Sequence, residues 1–206
     1  MTPTIELEKK LWKSGYVNVC GIDEVGRGPL AGPVVVGAVN LSNEAQVLEG
    51  VRDSKTMTQK QREYFFEKIM GVCSWGIGIV ESFEIDELGL TESIKKAVEM
   101  SLQSLENTME GKPDYLLIDG GVSNLSEYRM KSINGGDGLH YSISAASVIA
   151  KVTRDRLMME YAKKYPEYGF EKHVGYGTKG HLEALNKFGP CEIHRKCFKP
   201  VAKFFN

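Results

Sequence analysis

The chain has 206 residues, 42% hydrophobic and 26% charged, which excludes a disordered polyelectrolyte and suits one globular domain with a sizeable core. Its net charge of −1 conceals a split: residues 1–150 carry 14 basic against 21 acidic side chains, and residues 151–206 carry 12 against 6, so one part can attract metal cations and the other a polyanion. No apolar run approaches the ~20 residues of a bilayer span, residues 1–13 lack the apolar core of a signal peptide, and Cys20, Cys73, Cys191 and Cys197 form no CxxC pair, so a cytoplasmic protein with reduced thiols and no zinc ribbon is expected.

In chain order, residues 5–14 predict a short helix and residues 17–23 a mostly apolar strand. Residues 33–39 read as a second strand, and the short connection between the two predicts an antiparallel hairpin. Residues 58–70 are a helix candidate with Thr58 as N-cap and Phe65, Phe66 and Ile69 as its apolar stripe. Residues 73–80 alternate as a third strand. Residues 83–88 and 92–105 read as helices; in the second, Ile94, Ala97, Val98, Ser101 and Leu102 follow the 3.6-residue period. Residues 115–118 form a short buried strand ending at Asp119. The longest helix candidate, 144–164, stops before Pro166. The last, 178–188, is closed by Gly189.

Antiparallel strands, then alternating helices and strands, then a helical tail predict an α/β domain with a mixed sheet and a smaller, basic, helical C-terminal region. The expected division is a catalytic domain over residues 1–160 and a substrate-binding region over 161–206 packed on the same domain.

Four acidic positions stand out. Asp23 and Glu24 follow an apolar strand and precede the glycine turn Gly26-Arg27-Gly28, where backbone can approach a ligand closely. Adjacent residues of a regular strand point to opposite faces, so sharing one site requires that the strand be distorted or end there. Asp119 ends a buried strand before two glycines, a common position for ligand groups in α/β folds. Asp137 lies in Gly135-Gly136-Asp137-Gly138, a sequence equally suited to a plain turn. Ser147, Lys151 and Asp155 are spaced as one helix stripe, which a salt-bridged face also explains. Carboxylates without matching His or Cys suit hard cations such as Mg2+ or Mn2+, which prefer oxygen ligands. His140, His173, His181 and His194 lack metal-binding spacing and read as structural or surface residues.

Residues 21–35, Gly-Ile-Asp-Glu-Val-Gly-Arg-Gly-Pro-Leu-Ala-Gly-Pro-Val-Val, resemble the N-terminal signature of ribonuclease HII. The resemblance continues through Asp53-Ser54-Lys55, residues 75–80, Ile118-Asp119-Gly120, Gly136-Asp137, residues 144–156 (SAASVIAKVTRDR), residues 173–181 (HVGYGTKGH) and Ile193-His194-Arg195. It implies a ribonuclease-H-like fold, with a central five-stranded mixed sheet flanked by helices. It implies a metal centre of Asp23, Glu24, Asp119 and Asp137, which are also the catalytic residues, with two divalent ions, Mn2+ or Mg2+. On this reading Asp23, Glu24 and Asp119 hold the ion that activates water, and Asp137 helps hold the ion facing the leaving oxygen.

The implied substrates are RNA–DNA hybrids and duplex DNA with an embedded ribonucleotide, cut on the 5′ side to leave 3′-hydroxyl and 5′-phosphate ends. Gly26, Arg27 and Gly28 match the turn that reads the ribose 2′-hydroxyl, the group that distinguishes RNA from DNA. Tyr176 matches an aromatic that stacks on the following deoxyribose, and Lys55 matches a phosphate contact. His140 and Tyr141 depart from the family pattern after Asp137. Only about twenty residues precede Asp23, which favours HII over HIII with its added N-terminal domain. The expected working unit is a monomer, and a sliding-clamp contact has no support in the residues. Two rival readings are a non-catalytic hybrid-binding module and a nucleotide-binding protein. The second is weak, because the turn matches neither GxxxxGK[ST] nor GxGxxG.

Overall fold

The computed structural model describes residues 2–121 and 125–205. Its elements are α1 (Glu6–Lys13), β1 (Val19–Val25), β2 (Val34–Leu41), α2 (Gln59–Val72), β3 (Ser74–Val80), α3 (Ser82–Leu88), α4 (Leu90–Glu106), β4 (Tyr115–Asp119), β5 (Met130–Ile133), α5 (Tyr141–Lys164), α6 (Phe170–His173), α7 (Lys179–Phe188) and α8 (Lys199–Ala202). The sheet order is β3-β2-β1-β4-β5. The first three strands pair antiparallel, as the short connection requires, and β4 and β5 join parallel to β1. This is the five-stranded mixed sheet that the resemblance implied.

Helix α2 begins where its sequence directs. Thr58 accepts the Gln61 amide and the Gln61 side chain accepts the Thr58 amide, a reciprocal capping box. Helix α4 buries Ile94, Ala97, Val98, Ser101 and Leu102 against one sheet face, together with Cys20, Ile22, Leu116 and Ile118.

Helix α5 covers the other face, and it starts at Tyr141, earlier than the sequence pattern suggests. Every residue from Tyr141 to Ala150 is buried, so no polar face marks its beginning. Its N-terminus is satisfied from outside: buried Glu8 of α1 accepts from the Ser142 amide at 3.1 Å and the Ser142 hydroxyl at 2.8 Å, a carboxylate at the positive end of the helix dipole. Tyr141, unexpected in that run, has a local role: its hydroxyl accepts from the Leu48 amide at 2.8 Å. His140 joins an isolated bridge with Thr4. A Cβ at Gly21 would lie 2.1 Å from the Ser142 carbonyl carbon, and one at Gly37 would lie 2.4 Å from the Ala146 oxygen. Glycine at both positions lets α5 rest directly on β1 and β2.

Beyond α5, Tyr168, Phe170, Ala184 and Ile193 pack on Ala31 and Met158, while Leu185 and Val201 pack on Leu30. The C-terminal helices are thereby held against the β1–β2 connection. Phe198 and Phe204 join the same packing, whereas Phe205 is exposed. The four cysteines are free thiols. Among the described residues, no helix is long and apolar enough to cross a membrane.

Candidate active site

Three carboxylates meet at the carboxyl ends of β1 and β4. One oxygen from each of Asp23, Asp119 and Asp137 lies within 4.8 Å of the other two. The parallel ladder stops at Ile22–Ile118, which leaves the next residues of both strands at an open rim. Asp23 is 4% exposed and faces α5, where Ser147 hydrogen-bonds it. Asp119 ends β4, and its Oδ1 accepts from the Gly136 amide at 3.0 Å. That bond ties the turn Gly136–Gly138, and with it Asp137, to the strand end. Asp137 is 5% exposed, and its carbonyl accepts from the Ser144 hydroxyl of α5.

Glu24 stands beside this group rather than within it. Its Oε1 accepts from Arg27 at 2.9 Å. The strand is not distorted here, since β1 pairs with β2 through Val25–Val35. Asp23 and Glu24 nevertheless line one open cavity of about 300 Å3, together with Gly26, Arg27, Gly28, Ser54, Lys55, Asp119, Lys151 and Tyr176. Both side chains reach that cavity just past the point where the β1–β4 ladder ends.

Two cations partly balance the acids. Besides the Arg27–Glu24 pair, Lys55 Nζ lies 2.7 Å from Asp137 Oδ2. Partial burial pulls the Lys55 pKa down, but its bond to Asp137 and the nearby carboxylates outweigh this and raise it. Burial raises Glu24, opposed by Arg27. Burial also pushes Asp23 up to about 8, with the Ser147 bond opposing and repulsion from Glu24, Asp119 and Asp137 adding. A crowded, under-neutralised set of oxygen donors is the electrostatic setting that a hard divalent cation relieves.

The raised Asp23 pKa has a consequence for the metal-free protein. A carboxyl with a native pKa above its unfolded value contributes stability at low pH and loses it as pH rises through the native value. Stability is expected to fall between about pH 4 and pH 8. In chelator at pH 8, Asp23→Asn should melt several degrees above the wild type, at roughly 2–4 °C per kcal/mol, with the gap narrowing toward pH 5. An equal gap in thermal melts at both pH values would contradict this account.

Two arginines hold the β1–β2 connection that contains the glycine turn, and sequence reasoning missed both roles. Arg195 is fully buried. Its guanidinium donates to the carbonyls of Gly26 at 2.6 Å, Arg27 at 3.2 Å and Gly32 at 2.8 and 2.9 Å. Arg154, also fully buried, donates to Pro33, Ala31 and Val174. These carbonyls point inward, toward the guanidinium groups. Of the stripe noted earlier, Lys151 bonds Asp155 at 2.7 Å with Arg62 nearby, while Ser147 serves Asp23 and Ser54. Asp155 lies in that ion pair, outside the carboxylate group.

Tyr176 is 44% exposed, and a Cβ at Gly28 would sit 3.5 Å from its ring. The turn's two glycines therefore separate by role. Gly26 has φ +104, and a Cβ there would lie 2.6 Å from both Arg154 Nε and the Pro33 oxygen; Gly26→Ala should lose stability by more than about 1 kcal/mol. Gly28→Ala meets only ordinary contact, so it should fold normally. Its methyl would intrude on the cavity, and activity should fall about tenfold or more, since a small misplacement of substrate is costly. Melting curves and cleavage rates for the two variants check this split.

The sequence model of the Ribonuclease HII family matches residues 20–201. The chain belongs to the ribonuclease HII family. As a member it is a ribonuclease H, a divalent-metal-dependent endonuclease. It is 50% identical over 198 residues to ribonuclease HII of Bacillus subtilis strain 168, covering 96% of this chain and 75% of that one. Among solved structures, ribonuclease H2 of Pyrococcus horikoshii OT3 aligns with TM-score 0.72 and 28% identity, over 91% of this chain and 96% of that one. Ribonuclease HII of Archaeoglobus fulgidus, solved in complex with PCNA, aligns with TM-score 0.75 and 25% identity, over 88% and 95% of the two chains.

Proposed function

We propose that this ribonuclease HII cuts the RNA strand of RNA–DNA hybrids and also nicks duplex DNA on the 5′ side of a single embedded ribonucleotide, leaving 5′-phosphate and 3′-hydroxyl ends. The observation that carries the proposal is the meeting of Asp23, Asp119 and Asp137 beside a glycine turn faced by Tyr176. These three acids, joined by Glu24, would hold two divalent ions, Mg2+ or Mn2+. Bound there, such ions supply Lewis-acid activation of water and neutralise charge at the scissile phosphate.

The chain's own residues supply selection and placement. Arg27 and Lys55 exchange their carboxylate partners for substrate phosphates. With its carbonyls held inward by Arg195, the turn Gly26-Arg27-Gly28 meets the 2′-hydroxyl with backbone groups. Gly28 permits the approach, and Tyr176 stacks on the deoxyribose beyond the junction. The basic residues 161–206 act as the substrate-binding region packed on the catalytic residues 1–160. The working unit is a monomer in the cytoplasm. The PCNA complex of the archaeal relative makes a sliding clamp the first protein partner to test.

The deciding experiment uses labelled duplex DNA with one ribonucleotide beside an all-DNA duplex, in Mg2+, in Mn2+ and in chelator. Metal-dependent nicking 5′ of the ribonucleotide, with the all-DNA duplex intact, is the expected result. If only long hybrids are cut, the junction reading assigned to Arg27 and Tyr176 fails. No cleavage of any substrate by folded protein would favour a hybrid-binding module instead.

A further inference from the structure

Behind Tyr176 lies a buried chain of imidazoles that the site does not use directly. The Cys191 amide lies 3.0 Å from His194 Nδ1. His194 Nε2 lies 3.0 Å from His181 Nε2, and His181 Nδ1 lies 2.9 Å from the Tyr176 carbonyl oxygen. One end of this chain fixes every proton in it. A backbone amide can only donate, so His194 Nδ1 accepts and its proton sits on Nε2. His194 therefore donates to His181 Nε2, which places the second proton on His181 Nδ1, facing the Tyr176 carbonyl. That carbonyl can only accept, so both ends of the chain agree.

The surroundings favour neutral rings. Both histidines are buried. Burial and the neighbouring His181 push His194 down to about 4, and burial, with a smaller contribution from His173, lowers His181. His173 stacks on His181 at 4.6 Å, and its Nε2 donates to the Tyr168 carbonyl at 3.0 Å. Phe170 covers His181 and His194. Apolar side chains would fill this space without the desolvation cost of imidazole, so the nitrogens call for a role beyond packing.

The segment they hold is under conformational constraint. Val174 has φ +43, a left-handed conformation that β-branched residues avoid. It persists because its neighbours are bonded on every side. Arg154 donates to the Val174 carbonyl, the Leu30 amide to the Gly175 carbonyl at 2.8 Å, and the Tyr176 amide to the His173 carbonyl at 2.9 Å. The Tyr176 carbonyl accepts from the Thr178 amide as well as from His181. Strain maintained this way beside a ligand site is a mark of function. The ring of Tyr176 is half-exposed, so its position over Gly28 depends on this backbone.

We propose that His181 and His194 are positioning residues: a one-directional hydrogen-bond chain from the Cys191 amide through both imidazoles to the Tyr176 carbonyl sets the tyrosine against the substrate turn. The proposal rests on the reading of Tyr176 as the junction-facing residue.

Long-range nitrogen–proton NMR on the wild-type protein at neutral pH tests the chain directly. The expected result is His194 protonated on Nε2 alone and His181 on Nδ1 alone; a cationic ring or the opposite tautomer in either would overturn it. Kinetics of His181→Phe, which keeps a ring but removes the donor, test the positioning. KM for the single-ribonucleotide duplex should rise about tenfold, the scale of one lost hydrogen bond, while KM for a long hybrid rises less than about threefold. Equal losses on both substrates would mean a merely structural role and defeat the proposal. Tyr176→Ala is measured alongside. If it fails to distinguish the two substrates, the junction reading itself is wrong; if it distinguishes them and His181→Phe does not, the relay is wrong. The NMR measurement stands whether or not the phenylalanine variant folds.

Discussion

Asp119→Asn is expected to abolish turnover while leaving hybrid binding within a few-fold of the wild type. Asparagine keeps the shape of the side chain and retains an oxygen for the Gly136 amide, so the bond that ties Asp137 to the end of β4 survives. What disappears is one anionic oxygen of the three that lie within 4.8 Å. Changes to groups outside a metal's ligand set already cost about 10–100-fold in affinity or activity, so losing a ligand of the proposed metal centre should lower kcat by roughly 10^3-fold or more. In the proposed function, binding depends instead on Arg27, Lys55 and the basic C-terminal region, all of which remain. Measuring kcat at saturating substrate and hybrid affinity by fluorescence anisotropy separates the two. A kcat within tenfold of the wild type would sink the assignment of Asp119.

Arg195→Met should be the most damaging change away from the acids. The side chain is fully enclosed and makes four short contacts to the carbonyls of Gly26, Arg27 and Gly32. Methionine fills much of the volume but leaves those carbonyls without donors in a site that water does not reach. Hydrogen bonds to a charged group are worth about 1.5–3 kcal/mol each, and they are not additive. A loss of roughly 3–5 kcal/mol is expected, on the scale of other broken buried charge interactions, or about 10 °C or more in Tm. Lysine should not rescue, because a single ammonium cannot reproduce the planar fork. A thermal melt within about 2 °C of the wild type would show that the turn holds its shape unaided.

Much of this architecture is local and therefore readable in sequence. The hairpin follows from its short connection, α2 from Thr58 and its apolar stripe, and α4 from its period. The start of α5 was not readable, because its cap is Glu8, far away in the chain, and its first turns are buried on all sides. Edge strand β5 is four residues with two exposed polar side chains, too short and too mixed for a pattern. At the site, each acid taken singly was an ordinary residue: Asp119 and Asp137 stand before a glycine, and Asp23 and Glu24 lie near the end of an apolar strand. Their convergence depends on the parallel pairing of β1 with β4, which no local rule discloses. The motif resemblance named all four acids, but not that Glu24 would face Arg27 rather than join the other three. The buried arginines and the imidazole chain act through backbone carbonyls, which carry no sequence signature.

Helix α5 also serves as a ruler. Ser147, which touches Asp23, and Arg154, which holds the carbonyl two residues before Tyr176, lie seven positions apart on it. At 1.5 Å per residue that is ~10 Å and two turns, so both point from nearly the same side of a rigid rod. The separation between the carboxylate group and the Tyr176 segment is thus stored as a count of residues in one helix. A single inserted residue between them would turn Arg154 by ~100° and erase that calibration without touching any group that meets the substrate.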